Sequence, residues 1–292
     1  MQKFKAQEYS PLLAYLFKHC APMTKTKVKQ TLKYGAVRVN GRVTTSHAYP
    51  LKPGDLIELT GKKAAVTEQL KTGMDFKLLF EDEDLIVVEK PSGLLTMGTD
   101  REKEKTLYYQ LTAYQKSKSK LGKGRIFIVH RLDREASGLL GFAKNEAAKR
   151  ALQGNWSSAI KKYFVVAEGT PRDKEGMVRS HLMEDDFRRV YSARAPSKEA
   201  KLSVTHYRVV KTMGTYSLLE VALETGRKNQ IRVHLADIGC PIAGDDKYGA
   251  QTDPLGRLAL HAHHLAFDHP VSGKRLAFDS PCPESFSKVV KA

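Results

Sequence analysis

The stretch IVHRLDREASGLLGFAKN, residues 128–145, sets two apolar runs on either side of a charged turn. An apolar strand opens into His130, Arg131, Leu132, Asp133, Arg134 and Glu135, and after Ser137-Gly138 the chain turns apolar again. Charged residues between two core strands ordinarily mark a loop at a sheet edge. Here one carboxylate, Asp133, stands between Arg131 and Arg134, a setting that favours its ionised form. An ionised, positioned Asp can serve as a nucleophile.

Runs of β character recur outward from this pair. Leu85–Val88 reads as a buried strand, broken by Lys90-Pro91 and Gly93. Others fall at 126–130, 138–143, 162–167, 202–210, 216–223 and 258–267, with long helices expected only near 145–155 and 228–238. Residues 100–124 are polar and lysine-rich and read as a partly mobile surface segment around one short helix. Strands outnumber helices without alternating with them. This predicts an α+β fold with a mixed, mostly antiparallel sheet, not a doubly wound nucleotide-binding fold. There is no internal repeat and no glycine-rich phosphate loop.

Charge divides the chain. Of a net +17, residues 1–63 carry +9, from 12 Lys+Arg against 3 Asp+Glu. Such an excess implies a polyanionic partner, nucleic acid before membrane. Within this part, Leu12, Leu13, Leu16 and Phe17 form one helical stripe, and Val28, Leu32 and Tyr34 a second. Thr24 or Thr26 is the expected N-cap of the second helix, which leaves Lys25, Lys27, Lys29 and Lys33 on its solvent side. Gly35 ends that helix, VRVNGRVT follows as strand, Asn40-Gly41 turn and strand, and LKPGDLIEL reads as a turn into a last strand. The expected division is a small α/β module at 1–62, a linker at 63–75 and a larger domain at 76–292.

Composition bounds the rest. Hydrophobic residues are 41% and the mean hydropathy is −0.42, an ordinary globular composition. No uninterrupted apolar stretch follows Lys3 and Lys5, so neither a secretory signal nor a membrane partner is expected. Cys20, Cys240 and Cys282 form no CxxC pair, which argues against a zinc site or disulfide scaffold and for a cytoplasmic home. The histidines of LALHAHHLAFDHP, 258–270, read as strand and core residues rather than metal ligands.

Two further segments concentrate reactive groups. KKYFVVAEG, 161–169, places Tyr163 at the head of a buried strand, where a core aromatic with its hydroxyl at the rim is the ordinary reading. In ETGRKNQIRVHLADIGCPIAGDDKYG, 224–249, Ile231, Leu235 and Ile238 give a helix an apolar face and Gly239 caps it. Arg227, Gln230, Arg232 and His234 surround its first two turns, where a carboxylate or phosphate could be held.

HRLDREASGLLGFAK, KKYFVVAEG, TGRKNQIRVHLADIGCPIAGDDKYG and LALHAHHLAFDHPVSGKRLAFDSPCPESF resemble, in order, the motifs of the RluA-type pseudouridine synthases, and EDEDLIVVEKPSGLL resembles that family's opening. The resemblance spans roughly 76–290. Residues 10–60 are similar to the S-four-like RNA-binding domain that often precedes this catalytic domain. The resemblance implies a cofactor-free, metal-free isomerase of uridines in RNA. It makes Asp133 the nucleophile, Arg232 its partner, Tyr163 the residue that stacks on the base and assists proton removal, and Arg131 a residue that helps extrude the uridine. Arg134, Arg227 and, in the basic module, Lys25, Lys27, Lys29, Lys33 and Arg38 complete the expected RNA-contacting set. Ala136 stands where the family usually has Thr, and Lys228-Asn229 where it has Thr-His. By analogy the target is large-subunit ribosomal RNA first and tRNA second, and the protein is a monomer. The competing readings are a non-catalytic RNA-binding assembly factor and a glycosidase using Asp133 and Glu135. The second is disfavoured because arginines would keep both carboxylates ionised, whereas a general acid needs a proton.

Overall fold

A computed structural model describes residues 2–20, 23–33, 37–40, 42–44, 49–59, 74–100, 102–118, 124–193, 195 and 197–291. They divide into two compact units, Met1–Lys77 and Leu78–Ala292. Most of the expected linker, and Tyr34, Gly35 and Gly41, lie outside the described residues.

The first unit runs β1 (Gln2–Lys5), β2 (Ser10–Pro11), α1 (Leu12–His19), α2 (Lys25–Lys33), β3 (Val37–Val39), β4 (Arg42–Val43), β5 (Pro50–Leu51) and β6 (Leu56–Leu59). Four strands form a sheet in the order β1-β6-β3-β4, and β2 pairs with β5. Leu12 and Leu16 of α1, Val28 and Leu32 of α2, and Val37, Leu51 and Ile57 share one core. Thr24 is the N-cap, accepting from the Lys27 amide at 3.3 Å. Lys25, Lys27 and Lys29 are exposed, as amphipathic spacing requires once Val28 faces inward. The side chains of Lys33 and Arg38 lie outside what is described.

The second unit is built on one eleven-stranded sheet. Its strands are β7 (Lys77–Glu81), β8 (Leu85–Lys90), β9 (Phe127–Ile128), β10 (Ser137–Ala143), β11 (Ile160–Glu168), β12 (Glu175–Glu184), β13 (Val190–Ala193), β14 (Lys201–Met213), β15 (Tyr216–Leu223), β16 (Leu260–Asp268) and β17 (Arg275–Asp279). The order is β13-β12-β14-β15-β11-β16-β10-β8-β7, with β17 on β16 and β9 on β10. The pairs from β13 through to β8, with those of β17 and β9, are antiparallel except β10 with β16. That parallel contact needs Gly138, whose φ is +113° and whose missing Cβ would fall 2.2 Å from the Ala262 carbonyl oxygen.

Four helices, α3 (Leu107–Lys118), α4 (Glu146–Gly154), α5 (Gln230–Asp237) and α6 (Glu284–Val289), complete the unit. The mixed α+β sheet and both long helices follow the sequence reading. Strands β12, β13 and β17 were not read from it, because their apolar positions are sparse and half-exposed. The segment 100–124 also differs from expectation. Its middle is the twelve-residue α3, which buries Leu107, Leu111 and Tyr114 beneath a lysine-rich exterior. Glu81 of β7 fastens it, accepting from Tyr114 Oη (2.8 Å), Gln115 Nε2 (2.8 Å) and Lys118 Nζ (2.7 Å). Residues 119–123 lie outside the described set. No helix among the described residues is long and apolar enough to cross a membrane.

Candidate active site

The loop between β9 and β10 is pinned by the segment that follows β8. Lys90 is fully buried and donates to the carbonyls of Pro91 (2.9 Å), Leu94 (2.7 Å) and Arg134 (3.0 Å). Burial pushes its ammonium down to about 8. The Gly93 amide also donates to Arg134 O (2.9 Å), and Thr96 Oγ1 donates to Leu132 O (2.7 Å) while accepting from Leu132 N (3.2 Å). Sequence reading took Lys90-Pro91 and Gly93 only as a strand break. The signal that they do more is a lysine at the end of the buried strand LIVVEK, which must find buried acceptors.

The loop presents Asp133 to the start of α5. Arg232 Nη1 donates to Asp133 Oδ2 at 3.2 Å, the pairing that the resemblance implied. Two neighbours were missed. Asn229 Nδ2 donates to the same oxygen at 2.7 Å. Asp245, almost completely buried, takes Arg232 Nε (2.7 Å) and Nη2 (2.6 Å) as a bidentate fork. Burial alone would lower the pKa of Arg232, but its bonds to Asp245 and the charges of Asp245 and Asp133 raise it above its ordinary value. The guanidinium also sits 5.0 Å from the ring centroid of Tyr248. Asp245 and Tyr248 both belong to the quoted GDDKYG, but nothing in its spacing says which residue meets Arg232.

Asn229 caps α5 with φ +51°, a left-handed conformation that asparagine tolerates better than most residues. Gln230 and His234 proved structural. Gln230 accepts from Thr225 Oγ1 (2.8 Å) and the Arg227 amide (3.0 Å) and donates to Val204 O (3.0 Å) and Thr205 Oγ1 (2.9 Å). His234 Nδ1 meets Thr205 Oγ1 at 2.8 Å, and burial lowers its pKa.

Asp133 opens onto a cleft of about 450 Å³ whose walls include Arg131, Trp156, Lys161, Tyr163 and Arg227. Burial, and secondarily the charge of Asp133, push the Tyr163 hydroxyl above its ordinary range, so it is protonated at neutral pH. Proton removal by Tyr163 therefore requires it to shed its own proton first. His130 Nε2 accepts from the Gly141 amide at 3.0 Å, and burial pushes the ring down to about 3, leaving it neutral beside Trp156. Lys161 is 7% exposed, and its ammonium makes a single hydrogen bond among those described, to Trp156 O at 3.3 Å.

Arg131 and Arg227 are exposed on the cleft wall, whereas Arg134 is exposed and is not among its lining residues. Ala136 is buried beside Asp133. Glu135 is exposed outside the cleft, so the glycosidase reading loses its second carboxylate. Of the histidines of 258–270, His261, His263 and His264 lie in β16 as expected, whereas half-buried His269 follows the strand and meets Asp82. His261 joins Ser137 (2.8 Å) to Ser280 (2.9 Å), and His263 stacks on Phe164 at 3.9 Å. Asp82, Asp84 and His269 cluster at the β7–β8 turn, but Asp82 is engaged with His269 Nε2 (2.9 Å) and two amides, and Asp84 with Asn145 (2.7 Å).

Residues 84–237 match the family model described as RNA pseudouridylate synthase. An uncharacterised RNA pseudouridine synthase of Bacillus subtilis, YlyB, is 35% identical over 92% of this chain and 89% of its own length. This chain belongs to the RNA pseudouridine synthases. The enzyme is thus an isomerase that converts uridine to pseudouridine in RNA. A ribosomal large subunit pseudouridine synthase D of Zymomonas mobilis is 31% identical, with 92% of this chain and 89% of that one covered. Among solved structures, the human RNA pseudouridylate synthase domain containing 4 superposes with a TM-score of 0.60 at 26% identity, covering 72% of this synthase and 90% of that chain.

Proposed function

We propose that the synthase acts through Asp133 on uridines of large-subunit ribosomal RNA, with its basic N-terminal unit, read as an S-four-like domain, supplying RNA affinity. The observation that carries the catalytic part is the position of Asp133. It lies on the wall of the cleft, with Arg232 and Asn229 both donating to one oxygen. Those donors fix the orientation of the carboxylate before substrate arrives. Asp133 attacks the anomeric carbon as its bond to the ring nitrogen breaks; the detached uracil turns, its ring carbon displaces Asp133 from the anomeric carbon, and that ring carbon then loses its proton while the freed ring nitrogen is protonated. No electron leaves the substrate and no group is exchanged with a second one, so the chemistry calls for no cofactor.

Tyr163 forms the wall against which the extruded base packs, and Arg131 and Arg227 face the RNA from the exposed edge. Extrusion costs a few kcal/mol of lost stacking. Ribosomal RNA is favoured over tRNA by the relative named for the large subunit and by the attached basic unit. Position-resolved pseudouridine mapping in cells with and without the gene tests this. A modification lost from large-subunit RNA supports it; a loss confined to tRNA overturns the target.

A further inference from the structure

Beyond the cleft, the hairpin between β12 and β13 carries Phe187 at its tip, 92% exposed and the most exposed large apolar side chain described. A lone exposed apolar residue needs no explanation in itself. This one stands on a built pedestal. The turn is closed by Asp185 N to Arg189 O (2.9 Å), Arg188 N to Asp185 O (2.9 Å) and Arg189 N to Asp185 Oδ1 (2.7 Å). Arg188, directly after Phe187, is held at φ +60°, an unfavourable conformation for a long side chain. Two ammoniums converge on its carbonyl oxygen, Lys228 Nζ at 3.2 Å and Lys247 Nζ at 3.3 Å.

The pedestal leads back to the reacting centre. The Val190 amide donates to Tyr248 Oη (3.2 Å), Tyr248 Oη donates to Asn229 Oδ1 (3.3 Å), and Asn229 holds Asp133. Lys228, which meets the tip, also lines the cleft. The aromatic tip is therefore fixed to the rim of the site by a continuous set of contacts. Its charges favour a polyanion: Arg188 and Arg189 follow it in the chain and Lys247 reaches the Arg188 carbonyl, Glu184 is neutralised by Lys228 and Asp185 is committed to the turn, which leaves Asp186 and Asp246 as exposed acids.

We propose that Phe187 is a stacking platform for an unpaired RNA base flanking the target uridine, with Arg188, Arg189 and Lys247 taking its phosphates. A rigid aromatic face with cations beside it fits a splayed base, since every base has a π-face and every phosphate a charge. A partner protein is the less suited occupant, because one ring without an apolar surround gives no buried patch. The inference rests on RNA being the substrate. Stacking strengthens binding of single strands and adds nothing to an intact duplex.

The test compares the full-length protein with Phe187→Ala, Phe187→Leu and Phe187→Tyr, binding a fluorescent single-stranded uridine-rich oligonucleotide and the same strand in a duplex. The Ala and Leu variants are expected to bind the single strand roughly tenfold more weakly, and the Tyr variant like wild type. Equal melting midpoints show that the exposed substitutions leave the fold intact. Wild-type affinity in the Ala or Leu variant overturns the proposal, as does weakening in the Tyr variant or an equal loss on duplex. Wild-type protein that formed no pseudouridine would count against the RNA-isomerase reading and leave this binding comparison legible.

Discussion

Asn229 donates to Oδ2 of Asp133 at 2.7 Å, a closer contact than the 3.2 Å that Arg232 makes with the same oxygen. The residue that departs from the family's usual histidine thus becomes a direct holder of the proposed nucleophile. Hydrogen bonds to a charged group contribute about 1.5–3 kcal/mol. Asn229→Gly, which keeps the left-handed backbone and loses the amide, should lower the single-turnover rate by about ten- to a hundredfold. An unchanged rate at saturating RNA would make the bond incidental.

Asp245 should prove as necessary as Arg232 without lining the cleft itself. Its carboxylate is fully buried against the guanidinium, and removing one partner of such a pair costs about 3–5 kcal/mol. Asp245→Ala should lose that much in urea denaturation and most of its activity. The double variant Asp245→Ala with Arg232→Met should regain stability and stay inactive. Stability changes under 1 kcal/mol in Asp245→Ala would show that the fork does not matter.

Tyr163 yields a prediction about pH. Its hydroxyl is raised above the ordinary range, so a phenolate base would make the rate climb about tenfold per pH unit through neutrality. As a protonated wall it leaves the single-turnover rate flat between pH 7 and 9, and Tyr163→Phe should retain RNA binding. A log-linear rise over that range, abolished in Tyr163→Phe, would assign the hydroxyl to proton removal.

Glu81 ties α3 to the sheet, and its titration sets an acid limit. Burial raises its pKa, but the hydrogen bonds from Lys118, Gln115, Tyr114 and Lys144 outweigh this and bring it to about 2 from 4.5. A carboxyl with a depressed folded value stabilises the protein fully above its unfolded value. That contribution is lost as pH falls through the folded one, between about 4.5 and 2. Glu81→Gln should lack this part of the acid dependence when melting is followed against pH. Identical pH slopes would contradict the assignment.

The basic unit offers a salt test. Residues 1–63 carry +9 of the +17 net charge, and Lys25, Lys27 and Lys29 are exposed on one helix. Each neutralised phosphate steepens the dependence of log affinity on log salt. Removing the charges of these three lysines should make that slope shallower while single-turnover chemistry at saturating RNA persists. Equal slopes would mean that these lysines face solvent only.

The strands flanking Asp133 and the helix carrying Arg232 were legible because burial imposes strict apolar periods on Leu85–Val88, 138–143 and 162–167. The long arm formed by β12 and β13 was not, since a half-exposed hairpin leaves no such period. Asp133, Tyr163 and Arg232 could be named from motifs that run in chain order. Asn229, Asp245 and Lys90 could not, because their roles depend on which atoms meet on folding: Asn229 and Asp133 across 96 positions, Lys90 and Arg134 across 44, and Asp245 and Arg232 across 13. Tertiary contact, not local pattern, decides those roles.

Asp133→Asn tests the central claim most directly, because it keeps the shape of the side chain and removes the carboxylate. With purified protein clear of host enzyme, pseudouridine formed in the target RNA is measured alongside RNA affinity and thermal midpoint. The account predicts no detectable pseudouridine, with affinity and midpoint close to wild type. Measurable turnover by Asp133→Asn would contradict it.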